Sequence, residues 1–401
     1  MAKLTVSDVD LTGKTVLVRV DFNVTFHPGT NEIADDSRID ATLPTLQRLL
    51  SQDCKLVLCS HLGRPNGKEV DSLRMAPVSQ RLSEKLSIDV LQMSDSIGSE
   101  VSSNVKAMNP RDIIMLENLR FHPEEEANDP NFSKSLASLA EIYVNDAFGA
   151  AHRAHASTEG VTHYVDAISG LLMARELTML SRVLESPKRP LAAIFGGAKV
   201  SDKLLILRNL MTKADIILVG GGMAATFLRA KGLSTGNSLV EEDLIGPARE
   251  VINSAQSLGV DLLLPTDFIV SNAFAKDADH CNVSASSIPS GWQVMDIGQM
   301  TVKSYSAALQ PAQTILWNGT QGVSEWSSFA NGTKSIATAV AAKTNAGATT
   351  LIGGGSTAEA IYEMGLAGNM SHVSTGGGAS LEFLEGKPLP GVAVLLEQQD
   401  G

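Results

Sequence analysis

Residues Thr15 to Val24 run TVLVRVDFNV, an apolar strand that ends on two polar residues. Thr15 to Val20 is a short β-branched and aliphatic run of the kind that forms a buried strand, and it is followed at once by the polar residues Asp21 and Asn23. The same arrangement recurs along the chain as KLVLC from Lys55, DIIML from Asp112, EIYV from Glu141, LAAIF from Leu191, DIILV from Asp215, VDLLL from Val260 and QTILW from Gln313. Several of these runs alternate with helical patterns such as PVSQRLSEKL from Pro77. Short apolar strands alternating with helices are the signature of βαβ units, so the expected class is α/β with largely parallel sheets.

The chain has 401 residues, more than one hydrophobic core ordinarily serves, so two domains are expected. With 43% hydrophobic and 19% charged residues it is neither disordered nor fibrous. The opening MAKLTVSDVD has no apolar run and predicts no signal peptide, and no segment reaches the ~18 apolar residues of a membrane span. Cys54, Cys59 and Cys281 make an odd set with no metal-ligand spacing, which points to reduced thiols and a cytoplasmic location. A formal net charge of −12 without a long Lys/Arg run argues against general nucleic-acid or membrane binding. Any site for an anion is therefore local.

Open α/β sheets bind ligands just beyond the carboxyl ends of their strands, and there the two halves of the chain differ. The first half carries Asp21, Asn23, Arg38, His61, Arg64, Arg120, His152, Arg153 and His155 in loops or at element ends. Arginine is always charged and its planar fork binds phosphate or carboxylate through paired hydrogen bonds, so several around one site suit a small ligand with two or three anionic groups. Each arginine alone is as readily a surface ion-pair partner, and His61 reads equally as a core hydrogen-bonder or a ligand contact. His152 and His155 lack a third ligand at helical spacing and do not make a metal site.

The second half carries glycine runs: GGAK at Gly196 and GGG at Gly220, Gly353 and Gly376. Glycine lets the backbone approach a phosphate, and a following helix N-terminus directs free N–H groups at it. None of these runs is a P-loop, and G-x-G-x-x-G is absent from them. Lys199 and Lys203 are spaced to share one face if a helix begins there, and Ser356 with Glu359 forms a capping-box pattern. Between the halves, GLLMARELTMLSRVLES from Gly170 predicts an interdomain helix ended before Pro187 and Pro190.

The strings VLVRVDFNV, SHLGRP, LENLRFHPEE, YVNDAFGAAHRAHAST, GGAKVSDK, GGGMAATFL, WNGTQGV and SHVSTGGGASLEFLEGKPLPG, in this order and over nearly the whole chain, resemble phosphoglycerate kinase. That resemblance implies two Rossmann-like three-layer domains hinged across a cleft: residues 1–169 with the returning segment 385–401 for phosphoglycerate, a helix over 170–186, and 187–384 for nucleotide. It implies reversible transfer of a phosphoryl group between 1,3-bisphosphoglycerate and ADP, with Mg2+ accompanying ATP or ADP, in a cytoplasmic monomer that takes small molecules rather than nucleic acid or membrane. Carried over position by position, the phosphoglycerate contacts are Asp21, Phe22, Asn23, Arg38, His61, Leu62, Gly63, Arg64, Arg120 and Arg153. The nucleotide contacts are Ala198, Lys199, Lys203, Gly221, Gly298, Asn318, Glu325, Gly354, Gly355, Ser356 and Thr357, with Arg38, Lys199, Lys203 and the amide of Gly377 facing the moving group.

The chain departs from the family pattern at Thr25 and Thr320, where proline is usual, and at Ser356, where the family has aspartate. Serine is a poorer ligand for a hard cation than a carboxylate, so no certain metal ligand is assigned. Two other functions fit parts of the pattern: a nucleotide-binding scaffold without turnover, and a kinase of a smaller acyl phosphate such as that of acetate. The full set of cations speaks against both.

Overall fold

A computed structural model of the protein describes residues 3–398, and the chain divides into two compact units. The first runs to Thr178 and regains the chain from Pro388; the second spans Met179–Lys387. Among the described residues no helix is long and apolar enough to cross a membrane.

The first unit is built on β1 (Thr15–Arg19), a small hairpin of β2 (Thr25–Phe26) and β3 (Ile33–Asp35), and then β4 (Lys55–Cys59), β5 (Val90–Gln92), β6 (Ile113–Met115), β7 (Ile142–Asn145) and β8 (Ala167–Ser169). Its main sheet is six-stranded and parallel, in the order β5-β6-β4-β1-β7-β8. Val16, Leu17 and Val18 are all buried although successive side chains point to opposite faces, because helices cover both. The helix over Ser37–Leu50 buries Ile39, Leu46, Leu49 and Leu50, and these pack in one cluster with Val16, Val18, Leu56 and Leu58. Each such fully buried aliphatic side chain stabilises the fold by ~1.5–3 kcal/mol. The sequence from Pro77 forms the helix Ala76–Leu86, which stops at Ser87 in the left-handed region.

The second unit is built on β9 (Leu191–Phe195), β10 (Ile216–Val219), β11 (Asp261–Leu263), β15 (Thr314–Asn318), β16 (Thr349–Gly353) and β17 (His372–Val373), parallel in the order β11-β10-β9-β15-β16-β17. Beside it stands an antiparallel sheet of β12 (Asp267–Ser271), β13 (His280–Ser284) and β14 (Gln293–Ile297) that the apolar runs did not announce. Its β13, HCNVS, is mostly exposed and carries almost no apolar signal.

In both main sheets the chain builds outward on one side of the first strand and then crosses to the other. The order reverses between β1 and β7 in the first unit and between β9 and β15 in the second. Such a reversal opens a crevice at the carboxyl edge of the two flanking strands. Asp21 and Asn23 follow β1, Gly196 to Lys199 follow β9, and Asn318 closes β15.

The helix Leu171–Glu185 contains the point of division between the units. Its first turn is tied to the first unit, where Leu172 N and Met173 N donate to Asp146 Oδ1 at 2.9 and 3.2 Å and Leu171 N donates to Thr45 Oγ1 at 2.9 Å. Its last turn is tied to the second, where Lys213 Nζ donates to Leu184 O at 3.3 Å. The segment from Pro388 pairs back onto the first unit: Leu4 N donates to Leu396 O and Leu396 N to Ala167 O, at 2.8 and 2.9 Å. The last three residues of the expected return segment lie outside the described residues.

Candidate active site

At the switch point of the first unit, Arg38 Nη1 donates to Asp21 Oδ2, and His61 Nδ1 stands 3.9 Å from Asp21 Oδ1. Arg38 reaches the site from the second position of the helix Ser37–Leu50, and His61 from the loop after β4. Asn23 Oδ1 accepts from Gly63 N at 2.8 Å, and the buried Arg120 donates through Nη1 to Gly63 O at 2.8 Å, so one loop is held from both sides. Arg153 donates through Nε to His152 Nε2 at 3.1 Å, and its charge is felt by Arg120 and His155. Arg64 is exposed.

The side chains of Phe22 and Leu62 belong to the hydrophobic core. Their amides are already engaged, Phe22 N with Ser60 Oγ at 2.9 Å and Leu62 N with Asn118 Oδ1 at 3.2 Å. Both residues therefore act here by anchoring the loops that carry Asp21, Asn23 and His61.

Charge in this cluster is predominantly positive. Burial would raise Asp21, but Arg38 above all, with Arg19, keeps its carboxyl below the ordinary aspartate value. Burial and the guanidiniums of Arg19, Arg120 and Arg38 push His61 well below an ordinary histidine, with Asp21 opposing them, so the imidazole is neutral at pH 7. His155 is pushed down to about 4 by burial and by Arg120, Arg19 and Arg153.

The second unit presents glycines of two kinds. At Gly196 a Cβ would lie 2.0 Å from the carbonyl oxygen of Thr320, at Gly319 2.2 Å from that of Gly196, and at Gly221 2.6 Å from the amide nitrogen of Gly197. These glycines are required because three loops touch backbone to backbone, which is a packing demand rather than a ligand's. Gly355 and Gly377 face open space, with nothing within 4 Å of the position a Cβ would take. Gly298 is fenced by Asp267, whose carboxylate accepts from Met300 N and Thr301 N at 3.1 and 2.8 Å and so fills the N-terminus of the helix Gln299–Ala308.

Two local expectations are corrected. The helix after GGAK starts only at Leu204, so Lys199 and Lys203 do not share a helical face; Val200 N and Ser201 N donate to the Glu241 carboxylate instead, at 2.5 and 3.1 Å, and stabilise a turn there. The capping box also does not form. The helix Gly355–Glu363 is capped by Gly354 at φ 86°, which places Ser356 inside the first turn without a side-chain cap bond.

Lys199 and Ala198 are exposed, Glu325 is exposed, and Lys203 is half-buried. Burial lowers the Lys203 ammonium below the ordinary lysine value, while Asp202 and Glu385 favour its charged form. Thr357, fully buried, accepts from Gly319 N at 2.8 Å and couples the helix Gly355–Glu363 to the loop after β15. Asn318 is fully buried with neither its amide oxygen nor its amide nitrogen in a hydrogen bond, and it faces Gly353 and Gly354. A buried amide left open in both directions calls for a partner from outside the chain.

The sequence profile described as phosphoglycerate kinase matches residues 6–387. This chain belongs to the phosphoglycerate kinase family. Among curated relatives, the phosphoglycerate kinase of Moorella thermoacetica is 52% identical over 398 residues, covering 99% of this chain and 100% of its own, and that of Microcystis aeruginosa is 51% identical over 401 residues with the same coverage. Among solved structures, the phosphoglycerate kinase of Coxiella burnetii superposes with a TM-score of 0.87 at 40% identity, and that of Pyrococcus horikoshii OT3 with 0.85 at 32%, each covering 98% of both chains.

For a phosphoglycerate kinase the site holds several positions that motif reading passed over. Asn118 is fully buried, accepts from Leu62 N and Arg120 N, and donates to Leu62 O and Leu73 O, so it locks the His61 loop to the Arg120 turn. Glu117 accepts from Met75 N and Asn118 N at 2.9 and 2.8 Å. Both lie in LENLR beside Arg120, and their only signal was that company. Asp296 carried none, because a lone aspartate in an apolar strand is unremarkable in a sequence, and Asp146 stood inside YVNDAFG without a role read for it.

Proposed function

We infer that the two units divide one phosphoryl transfer between them, the first holding the phosphoglycerate and the second the nucleotide. The reaction is that of the family, reversible transfer of the acyl phosphoryl group of 1,3-bisphosphoglycerate to ADP, giving 3-phosphoglycerate and ATP. The acceptor in the reverse direction is a carboxyl group, and both substrates are small molecules.

The observation that carries the division of labour is the placement of opposite chemistries at the two switch points. Around Asp21 the first unit gathers Arg19, Arg38, Arg120 and Arg153 against the carboxylates of Asp21, Glu125 and Glu126, beside a neutral His61, and the surplus of positive charge suits a ligand bearing carboxylate and phosphate. Around Asn318 the second unit offers open backbone at Gly355 and Gly377 and an unsatisfied amide, which suit a nucleotide's phosphates and their neighbouring groups. Arg38 in the first unit, and Lys203 with the Gly377 amide in the second, are the groups suited to stabilise charge on the group in flight. Since each substrate is held by its own unit, transfer requires closure to align them and exclude water that would hydrolyse the acyl phosphate. No protein nucleophile is needed.

Magnesium enters as part of the nucleotide substrate. Ser356, an exposed neutral hydroxyl, is a poorer ligand for it than a carboxylate. Phosphate oxygens and water therefore supply most of its ligands. The reading also makes the chain a cytoplasmic monomer, in keeping with three free cysteines; sedimentation of the pure protein checks the monomer.

The test is a coupled assay of ATP formation from 1,3-bisphosphoglycerate and ADP. Wild type turns over, and Arg38→Ala and Lys203→Ala each lose roughly 10²–10³-fold in kcat, the range for removing one preorganised charge donor. Saturable ADP binding without turnover would make the chain a scaffold.

A further inference from the structure

Arg19 was not among the expected site residues, yet it is the largest charged side chain fully buried in the first unit. It is the last residue of β1, directly before the switch point. Its guanidinium is held on three sides: Nη1 donates to Val20 O, Nε donates to Ser157 Oγ at 2.8 Å, and Nη2 stands 3.1 Å from His61 Nδ1. Behind Ser157 lies Glu125, also fully buried, which accepts from Ser157 Oγ at 2.6 Å and from Ser157 N at 2.9 Å. The Ser157 backbone is fixed from a further side, its carbonyl accepting from Tyr143 Oη at 2.7 Å.

The direction of every proton in this chain follows from chemistry. The guanidinium has donors only and does not lose its charge in proteins, so Ser157 Oγ accepts from it and must send its own proton to Glu125. For the same reason the His61 Nδ1 that meets Nη2 is an acceptor. It carries no proton, and the imidazole is neutral with its proton on Nε2. Turning the ring over would bring a carbon against the Arg19 N–H and leave a buried charged donor unpaired, which disfavours that orientation.

We propose that Arg19, backed by Ser157 and Glu125, is a positioning residue that locks His61 in the Nε2–H form and so presents one fixed N–H donor to the anionic substrate. Arg19 touches no reacting atom; it acts through His61. The proposal rests on the assignment of phosphoglycerate to the first unit. Without the lock the imidazole is free to interchange tautomers, and part of the population offers the substrate a lone pair, which repels an anion. Asp21, Arg38 and Arg120 also face His61, but none of them is in hydrogen-bond contact with its Nδ1.

Two measurements on the full chain test this. In uniformly 15N-labelled wild type, long-range proton–nitrogen correlation reads each histidine's tautomer, and His61 is assigned by the signal lost in His61→Gln. The expected result is a neutral Nε2–H imidazole at pH 7; an Nδ1–H or doubly protonated ring at that pH would overturn the proposal. The second measurement uses Arg19→Met combined with Glu125→Gln, which removes both buried charges together and avoids stranding one. Its expected signature is a mixed tautomer at His61 and a KM for 3-phosphoglycerate raised roughly ten- to a hundredfold, the worth of one hydrogen bond to a charged group, with the KM for ATP unchanged. A pure Nε2–H signal or an unchanged KM for 3-phosphoglycerate in the folded double variant would equally overturn it. If that variant does not fold, the wild-type tautomer decides alone. Absence of turnover in wild type would strike the functional reading instead, while the tautomer at His61 would still measure what Arg19 does to the ring.

Discussion

At the scale of single residues the glycines are the sharpest case. Gly196 and Gly355 stand in similar motifs, but a methyl group at Gly196 would collide with rigid backbone and at Gly355 would meet open space. Gly196→Ala should therefore lower thermal stability strongly or prevent folding, whereas Gly355→Ala should leave the melting temperature within a degree or so and raise the KM for nucleotide. Thermal denaturation beside steady-state kinetics separates the two. Ser356 is the other residue to probe, since it sits in the first turn of the helix Gly355–Glu363, at a position where the resemblance to the family leads one to expect aspartate. Ser356→Asp should tighten magnesium-nucleotide binding, read by titration calorimetry across magnesium concentrations, because a carboxylate there adds an anionic ligand. Identical affinities would show that the position is indifferent to metal.

Among the elements, β14 shows how a buried acid couples packing to pH. Asp296 is fully buried and accepts from Gly332 N at 2.7 Å at the start of the helix Asn331–Asn345 and from Ile297 N at 2.9 Å. Burial outweighs these bonds and pushes the carboxyl up to about 7 from an unfolded value near 3.8. The folded state thus holds this proton more tightly than the unfolded state. Its contribution to stability is complete below about pH 4 and is lost as pH rises through about 7, at up to ~1.4 kcal/mol per pH unit. Urea denaturation followed by tryptophan fluorescence should show that slope and should show it flattened in Asp296→Asn. Trp292, Trp317 and Trp326 all lie in the second unit, so the probe reports that unit alone. The helix Leu171–Glu185 makes a related point, because its apolar spacing was readable but the carboxylate of Asp146 at its first turn was not.

Across the whole molecule the proposal assigns one ligand to each unit, and hydrogen exchange tests that directly. Saturating 3-phosphoglycerate alone should slow exchange of amides in the loops after β1 and β4 and around Arg120, and nucleotide alone those around Gly196, Gly319 and Gly355. Protection by either ligand confined to the wrong unit would reverse the assignment.

The α/β class and the eight announced strands were legible in the sequence because each depends on local information: a strand buried on both faces must be a run of apolar residues. Other features depend on residues distant in sequence. β13 was missed because it is exposed and polar, and the expected helix at Lys199 was replaced by a turn because Glu241, far along the chain, occupies its amides. The sequence likewise could not divide the glycines that pack loops from those that face open space, nor show that Arg19 holds His61 through one nitrogen. What the chain is made to do was written in its order of residues; which proton each buried group carries was decided only when folding brought Arg19, Ser157 and Glu125 out of water and into line.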